Sequence, residues 1–185
     1  MRLVASYTVA LLASSSLVAG EVDLVPPKQT TLRLAHVATK ESTAKYTGYV
    51  DVTGTLVAEW HDGEVEAGEK IAPTMGYTVL LDEKSQSELP HFDKYNITSI
   101  APANGPSALA MAAGRAVLAA FRAHKIARVE VKGKYTVSNL EIGVECDTPW
   151  ARAHIDRVGN HAPPKITYTQ NMEGCSPSIS TVEVN

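Results

Sequence analysis

The stretch "GYVDVTGTLVAEW", residues 48–60, decides the fold class of this chain. Its apolar side chains fall on one side of an alternating pattern: Val50, Val52, Leu56, Ala58 and Trp60. Alternation with a period of two is typical of a strand that buries one face. Gly54 interrupts the apolar side, where a missing side chain indicates a bulge, a sharp bend or close approach of another backbone. The stretch therefore predicts a strand of a β-rich domain.

Other segments repeat this alternation on both sides of one helical stretch. Strands are predicted at 31–39, 49–60, 76–82, 97–101, 128–146 and 150–158. Segment 106–125 instead spaces its apolar side chains four apart, which is typical of an amphipathic helix. Its apolar stripe consists of Leu109, Ala113, Val117 and Phe121. The pattern predicts one Ala-rich helix that packs this stripe on the sheet and leaves Arg115, Arg122 and Lys125 in water.

The strand predicted at 128–146 carries two irregularities. Gly133 falls on its apolar side, as Gly54 does in the first strand. The alternation also changes phase at Ser138 and Asn139, so apolar residues switch parity there. Because successive side chains of a strand point to opposite faces, a change of parity requires a bulge or a tight turn.

The N-terminus "MRLVASYTVALLASSSLVAG", residues 1–20, has the features of a secretory signal peptide. A single basic residue, Arg2, precedes an uncharged run of apolar and small residues, and cleavage after Ala19 or Gly20 is predicted. We therefore expect a protein exported to a periplasm or to the outside of the cell. No later apolar run is long enough to span a bilayer, so no membrane span is expected after cleavage.

The remaining chain is predicted to form one domain with two appendages. Residues 21–47 form an extended leader with a short strand, 48–158 a single β-rich domain, and 159–185 a polar tail. The chain carries 17 basic and 20 acidic residues, and its net charge of −3 becomes more negative when Arg2 is removed with the signal peptide. Nucleic-acid binding draws on a basic patch that neutralises phosphates, so this charge balance argues against a nucleic-acid partner.

Cys146 and Cys175 are the two cysteines of the chain. In an exported protein two cysteines are most simply explained by one disulfide, because the compartment is oxidising. The alternative is a nucleophilic Cys146 with His154 as its base. Glu145 and Asp147 surround Cys146 with negative charge, which disfavours a thiolate. The sequence therefore predicts a disulfide that ties the tail back to the domain.

Motifs that would indicate an enzyme or a cofactor do not stand out in the sequence. No two histidines have the spacing of metal ligands, and the acidic segment 62–69 lacks the pattern of a calcium loop. No glycine-rich phosphate loop or nucleophile motif occurs. We therefore predict no metal, no cofactor and no enzymatic activity. Asn96 begins the tripeptide "NIT", which is a glycosylation acceptor where the host has that machinery.

The order of the predicted elements resembles the OB fold, a small β-barrel that binds oligonucleotides or oligosaccharides and places a helix between its third and fourth strands. Residues 48–158 carry the resemblance, above all "GYVDVTGTLVAEW" and "VEVKGKYTV", whose glycines permit strong coiling. It implies an α+β, mostly β fold: a small OB-like five-stranded barrel or a strongly coiled antiparallel sheet, with one Ala-rich helix packed on it. It also implies binding on the second and third strands and near 61–75 and 147–149.

One strand offers side chains suited to an interface. In "WARAHID", residues 150–156, the polar Arg152, His154 and Asp156 alternate with apolar residues, and Trp150 stands at the start. Aromatic residues and arginine are enriched at protein interfaces. The alternative is a strand face that only meets solvent, with Trp150 in the core.

The sequence therefore predicts an exported, non-enzymatic binding module whose partner is a protein or a glycan, in the setting of a cell envelope. The alternative is a small secreted inhibitor or immunity protein. Such a protein would insert the acidic stretch "HDGEVEAGEK" into a basic active site, because complementary charge favours association.

Overall fold

A computed structural model describes residues 24–28, 31–38, 41–61, 65–66, 69–70, 72–169 and 181–183. The strands are β1 Leu24–Val25, β2 Leu32–Ala38, β3 Thr43–His61, β4 Val65–Glu66, β5 Glu69–Lys70, β6 Thr74–Leu81, β7 His91–Phe92, β8 Ser99–Pro102, β9 Ile126–Glu145, β10 Thr148–Gly159, β11 Lys165–Tyr168 and β12 Thr181–Glu183. The helices are α1 Glu83–Glu88, α2 Gly105–Ala113 and α3 Arg115–Arg122. Strands lie at all six predicted places. The predicted signal peptide, residues 1–20, lies outside the described residues.

Five strands are linked in a ring of pairings. β3 pairs antiparallel with β6 and with β9, β6 with β8, and β9 with β10. β8 and β10 complete the ring, and they run parallel. This last seam consists of only two residue pairs, Arg152 with Ala101 and Ala153 with Pro102, and the seam between β6 and β8 is equally short. The ring is therefore held together by short pairings on both sides of β8.

The same sheet continues beyond the ring. β2 lies beside the first half of β3. On the other side, β11 pairs with β9, and β12 pairs with β11. The α+β, mostly β class is confirmed. The alternative of a wholly antiparallel sheet is corrected by the parallel pairing of β8 with β10, since the chain crosses over through the helices between them.

The core follows the alternation of the strands. Buried apolar residues from β3, β6, β9 and β10 face one another in a single cluster that includes Val50, Val52, Leu56, Val79, Val131, Val137 and Ile155. Tyr135 lies fully buried in this cluster, and its hydroxyl donates to the Val131 carbonyl and accepts from the Leu56 amide. A buried polar group is costly unless it is hydrogen-bonded, so these two bonds allow a tyrosine at the centre of the core.

The prediction for Gly54 is confirmed as close approach of another backbone. A Cβ atom at this position would lie 2.1 Å from the carbonyl oxygen of Leu80 on β6. Gly54 also pairs with Gly133 across β3 and β9, so the two glycines on the apolar sides of their strands are neighbours. A Cβ at Gly133 would instead lie 2.9 Å from the Cβ of His161, so each glycine makes room for a different segment of the chain.

The predicted change of phase in β9 is confirmed as a bulge inside a continuous strand. Asn139 has a φ of +51°, in the left-handed region that asparagine tolerates better than most residues. The register with β10 shifts between Arg152 and His154, and the register with β3 shifts between Lys45 and Tyr49. The bulge therefore realigns both neighbouring strands at one level of the sheet.

The prediction of a single helix over 106–125 is corrected. The chain forms α2 and α3, separated at Gly114, which has φ +92° and ψ +157°. Tyr77 lies against both Gly105, at the start of α2, and Phe121, near the end of α3. The two helices therefore fold back on each other as a hairpin. The Ala-rich sequence favours helix on both sides of Gly114, and only the glycine allows the reversal.

Sequence reasoning also missed α1, which follows β6 directly. Asp82 caps it, because its Oδ1 accepts a hydrogen bond of 2.7 Å from the Ser85 amide. The hydroxyl of Thr53 donates to the other carboxylate oxygen of Asp82, and this bond lowers the pKa of Asp82 below its usual value. An aspartate before a polar hexapeptide is a helix start signal that a search for longer periodic segments overlooks.

Candidate binding surface

The strand β10 presents the predicted residues on its outer side. Ala151, Ala153 and Ile155 are buried, as their place in the alternation predicts. Arg152, His154 and Asp156 are exposed, and Trp150 is half-buried on the same side. The structure therefore places all four predicted residues on one face, and Trp150 is not part of the core cluster.

Trp150 lies across a glycine of the neighbouring strand. It pairs with Gly143 on β9, and a Cβ atom at Gly143 would lie 2.4 Å from the indole Cζ2 and 2.7 Å from Nε1. The ring therefore occupies the space that a side chain at position 143 would fill. Sequence reasoning missed Gly143, although a glycine opposite a tryptophan across a two-residue turn is a readable signal of this contact.

The charge of Arg152 is not neutralised by an ion pair with its neighbours on the adjacent strands. Its lateral neighbours are Glu141 on β9 and Ala101 on β8. The carboxylate of Glu141 instead pairs with Lys45 on β3, at 3.1 Å. Among the side chains that the structure describes, no acidic group forms an ion pair with Arg152. The guanidinium is therefore available to a ligand, with five donors in a rigid fork.

A shallow groove of about 590 Å³ runs along this part of β10. Trp150 and Arg152 line it together with Ala101, Glu145, Cys146, Thr148 and Ala151. Its volume is within the range of sites that hold small ligands or ligand segments. Apolar surface, one aromatic ring and one guanidinium thus converge at the end of the sheet near the turn between β9 and β10.

His154 and Asp156 lie farther along β10, beyond the groove lining. The imidazole Nδ1 of His154 lies 3.1 Å from the Asp156 carboxylate. Across the sheet, His154 pairs with Ser138, which in turn pairs with Tyr49 on β3. Tyr49 is 57% exposed, so it adds a second aromatic ring that the sequence analysis did not single out. We name the set Tyr49, Trp150, Arg152, His154 and Asp156 the outer surface.

The turn between β9 and β10 consists of Cys146 and Asp147. Both have positive φ, +46° and +61°, as the central residues of a type I′ hairpin turn do. The Asp147 carboxylate accepts a hydrogen bond of 2.8 Å from the Tyr95 hydroxyl, and this bond raises the pKa of Tyr95. The contact joins the turn to the segment that precedes β8 and so positions one end of the groove.

The geometry separates Cys146 from His154. Residues 148–154 form one extended strand, so the imidazole stands about 20 Å from the turn. A general base must reach its nucleophile within hydrogen-bond distance, directly or through one water. Cys146 and His154 therefore do not form a catalytic pair.

The predicted disulfide involves Cys175, which lies outside the described residues, while Cys146 is exposed in the turn. We expect non-reducing peptide mapping of protein purified from its exported fraction to yield a linked pair of peptides that contain Cys146 and Cys175. The physical reason is that a chain exported as residues 1–20 predict would fold in an oxidising compartment. Alkylation of both thiols without prior reduction would show that the bridge is absent.

Within the described residues, no three His, Cys, Asp or Glu side chains come together as a set of metal ligands. No helix in the same part of the chain is both long and apolar enough to cross a bilayer.

Neither a protein-family model, nor a curated protein, nor a solved structure matches this chain, so the functional conclusion rests on its own geometry.

Proposed function

We propose that this chain is an exported, non-enzymatic binding module built on an OB-like barrel. The ring of β3, β6, β8, β10 and β9 supports the barrel, as do the helices α2 and α3 between its third and fourth strands in chain order. The short pairings on both sides of β8 fit a barrel of this kind, which is only partly closed. Export is supported by the sequence of residues 1–20.

The ligand is a protein or a glycan of the cell envelope, and it docks on the outer surface. The observation that carries this proposal is the Trp150 indole, which lies across Gly143 next to the Arg152 guanidinium in one groove. A rigid aromatic ring loses little conformational entropy on binding, and arginine supplies directed donors. The inhibitor alternative relies on acidic residues at 62–69, whose side chains lie outside the described residues.

Trp150→Ala is expected to weaken binding about thirtyfold, because truncation of an aromatic hot spot costs about 2 kcal/mol or more. Arg152→Ala is expected to weaken binding about fivefold to tenfold.

Gly143→Ala keeps both side chains but displaces the indole, so we expect a loss of affinity close to that of Trp150→Ala. The measurement is binding of each variant to arrayed cell-surface glycans and, by cross-linking, to envelope proteins.

Arg33→Ala is the matched control, since Arg33 is an exposed arginine on the edge strand β2. It should bind like the wild type, and all variants should keep the wild-type melting temperature. Equal capture of one ligand by the wild type and all three site variants would show that the outer surface is not the binding site. Turnover of an ester or peptide substrate that is lost in Ser138→Ala would contradict the non-enzymatic proposal.

A further inference from the structure

A second groove lies on the helical hairpin. It runs between the first turn of α2 and the outer side of α3 and has a volume of about 320 Å³. Its floor is apolar, with Ala110, Leu118 and Ala119, and its margins carry Arg115 and Arg122. Both arginines are exposed and belong to α3, one at each end of the helix.

The chain segment that forms this groove carries charges of one sign. No aspartate or glutamate occurs anywhere from Lys94 to Val129, although the whole chain has a net charge of −3. Among the described side chains, no acidic group forms an ion pair with Arg115 or Arg122. The hairpin is therefore a positive patch on an acidic protein, and its guanidinium groups are free to bind anions at the groove margins.

The spacing of the two arginines restricts the ligand. They are seven residues apart on one helix, so their Cα atoms are separated by about 10.5 Å along its axis. In an extended peptide, side chains four residues apart point to the same side and are about 13 Å apart, and the side chain midway between them also points to that side. The difference of about 3 Å between the two spacings is within the reach of the long arginine and glutamate side chains. Carboxylates at this spacing reach both guanidinium groups, each of which forms paired hydrogen bonds with a carboxylate.

We propose that this groove docks an extended acidic segment of a partner protein, in which two carboxylates four residues apart bind Arg115 and Arg122 and the apolar side chain midway between them contacts Leu118. A concave floor between two charged margins suits an inserted side chain. A flat anionic membrane would instead meet the whole protein, whose net negative charge opposes approach to such a surface. The docking groove is distinct from the outer surface and does not depend on it.

The probe is a fluorescent nine-residue peptide with two glutamates four positions apart and a leucine midway between them, measured by fluorescence anisotropy at low salt. We expect saturable binding to the full chain. Arg115→Gln combined with Arg122→Gln should weaken it about tenfold, because each exposed ion pair contributes modestly. Raising the salt concentration should weaken binding further, since exposed charges are screened.

Two controls define the outcomes. Arg33→Gln combined with Lys84→Gln removes the same charge from exposed positions elsewhere and should bind the peptide like the wild type. A peptide with glutamines in place of the glutamates should not bind.

The proposal is overturned by absence of saturable binding up to millimolar peptide, by equal binding of the glutamine peptide, or by an equal loss of affinity in both double variants. Arginine-dependent binding to phosphatidylserine vesicles without peptide binding would identify a membrane surface instead and would equally overturn it.

Discussion

Phe121→Ala is expected to lower the free energy of unfolding by about 3 to 5 kcal/mol, the cost of truncating a fully buried aromatic residue. The Phe121 side chain is inaccessible to solvent. Its ring centroid lies 5.9 Å from that of Trp60 and 6.0 Å from that of Tyr77, so truncation leaves a cavity between α3 and the sheet. The Trp60 indole also donates a hydrogen bond of 2.9 Å to the Phe121 carbonyl, which depends on the position of α3. Urea denaturation followed by circular dichroism measures the loss.

Arg122→Ala is the control for this prediction, because it changes the next residue of the same helix. Arg122 is exposed, so its removal should change stability by less than about 0.5 kcal/mol. Equal destabilisation by the two substitutions would mean that the buried face of α3 is assigned wrongly.

Gly114→Ala is expected to destabilise the protein by about 1 to 3 kcal/mol, although the flanking sequence suggests the opposite sign. In a continuous Ala-rich helix, replacing glycine by alanine would stabilise by about 1 kcal/mol. Here Gly114 has φ +92° and ψ +157°, a backbone region that is essentially restricted to glycine. No atom lies within 4 Å of the position that a Cβ would occupy, so the cost comes from backbone strain rather than from a clash.

Gly159→Ala supplies the comparison for Gly114→Ala. A Cβ at Gly159 also meets no atom within 4 Å, and its φ is not in the left-handed region. Its substitution should therefore be close to neutral or slightly stabilising. Thermal melts of both variants against the wild type measure the difference. Stabilisation by Gly114→Ala would indicate that α2 and α3 form one continuous helix after all.

The strands were predictable because their signal is local. The alternation in 48–60 places Val50, Val52 and Leu56 on one side, and the structure buries all three. The bulge at Asn139 was also predictable, since a change of parity shows in the sequence wherever a strand keeps one face buried. The exposed face of Arg152, His154 and Asp156 followed from the same rule.

The candidate site was predictable only in part. Its residues on β10 share one strand, and their common face follows from the period of two. The site also contains residues of other strands, namely Gly143, Ala101 and Tyr49. Which residue each of them lies next to depends on the register in which the strands pair. Register is set by contacts between distant segments, which a search for periodicity along one segment does not detect.

By itself, the sequence determined the positions of the strands, the faces that they bury and the helical character of 106–125, because each depends on the order of side chains within a few residues. The tertiary structure alone decided that five strands pair in a ring, that Trp150 lies over Gly143 and that the chain reverses at Gly114. Glycine permits a reversal but does not require one. The packing of Tyr77 against both Gly105 and Phe121 stabilises the folded-back arrangement, and that contact exists only when distant parts of the chain meet.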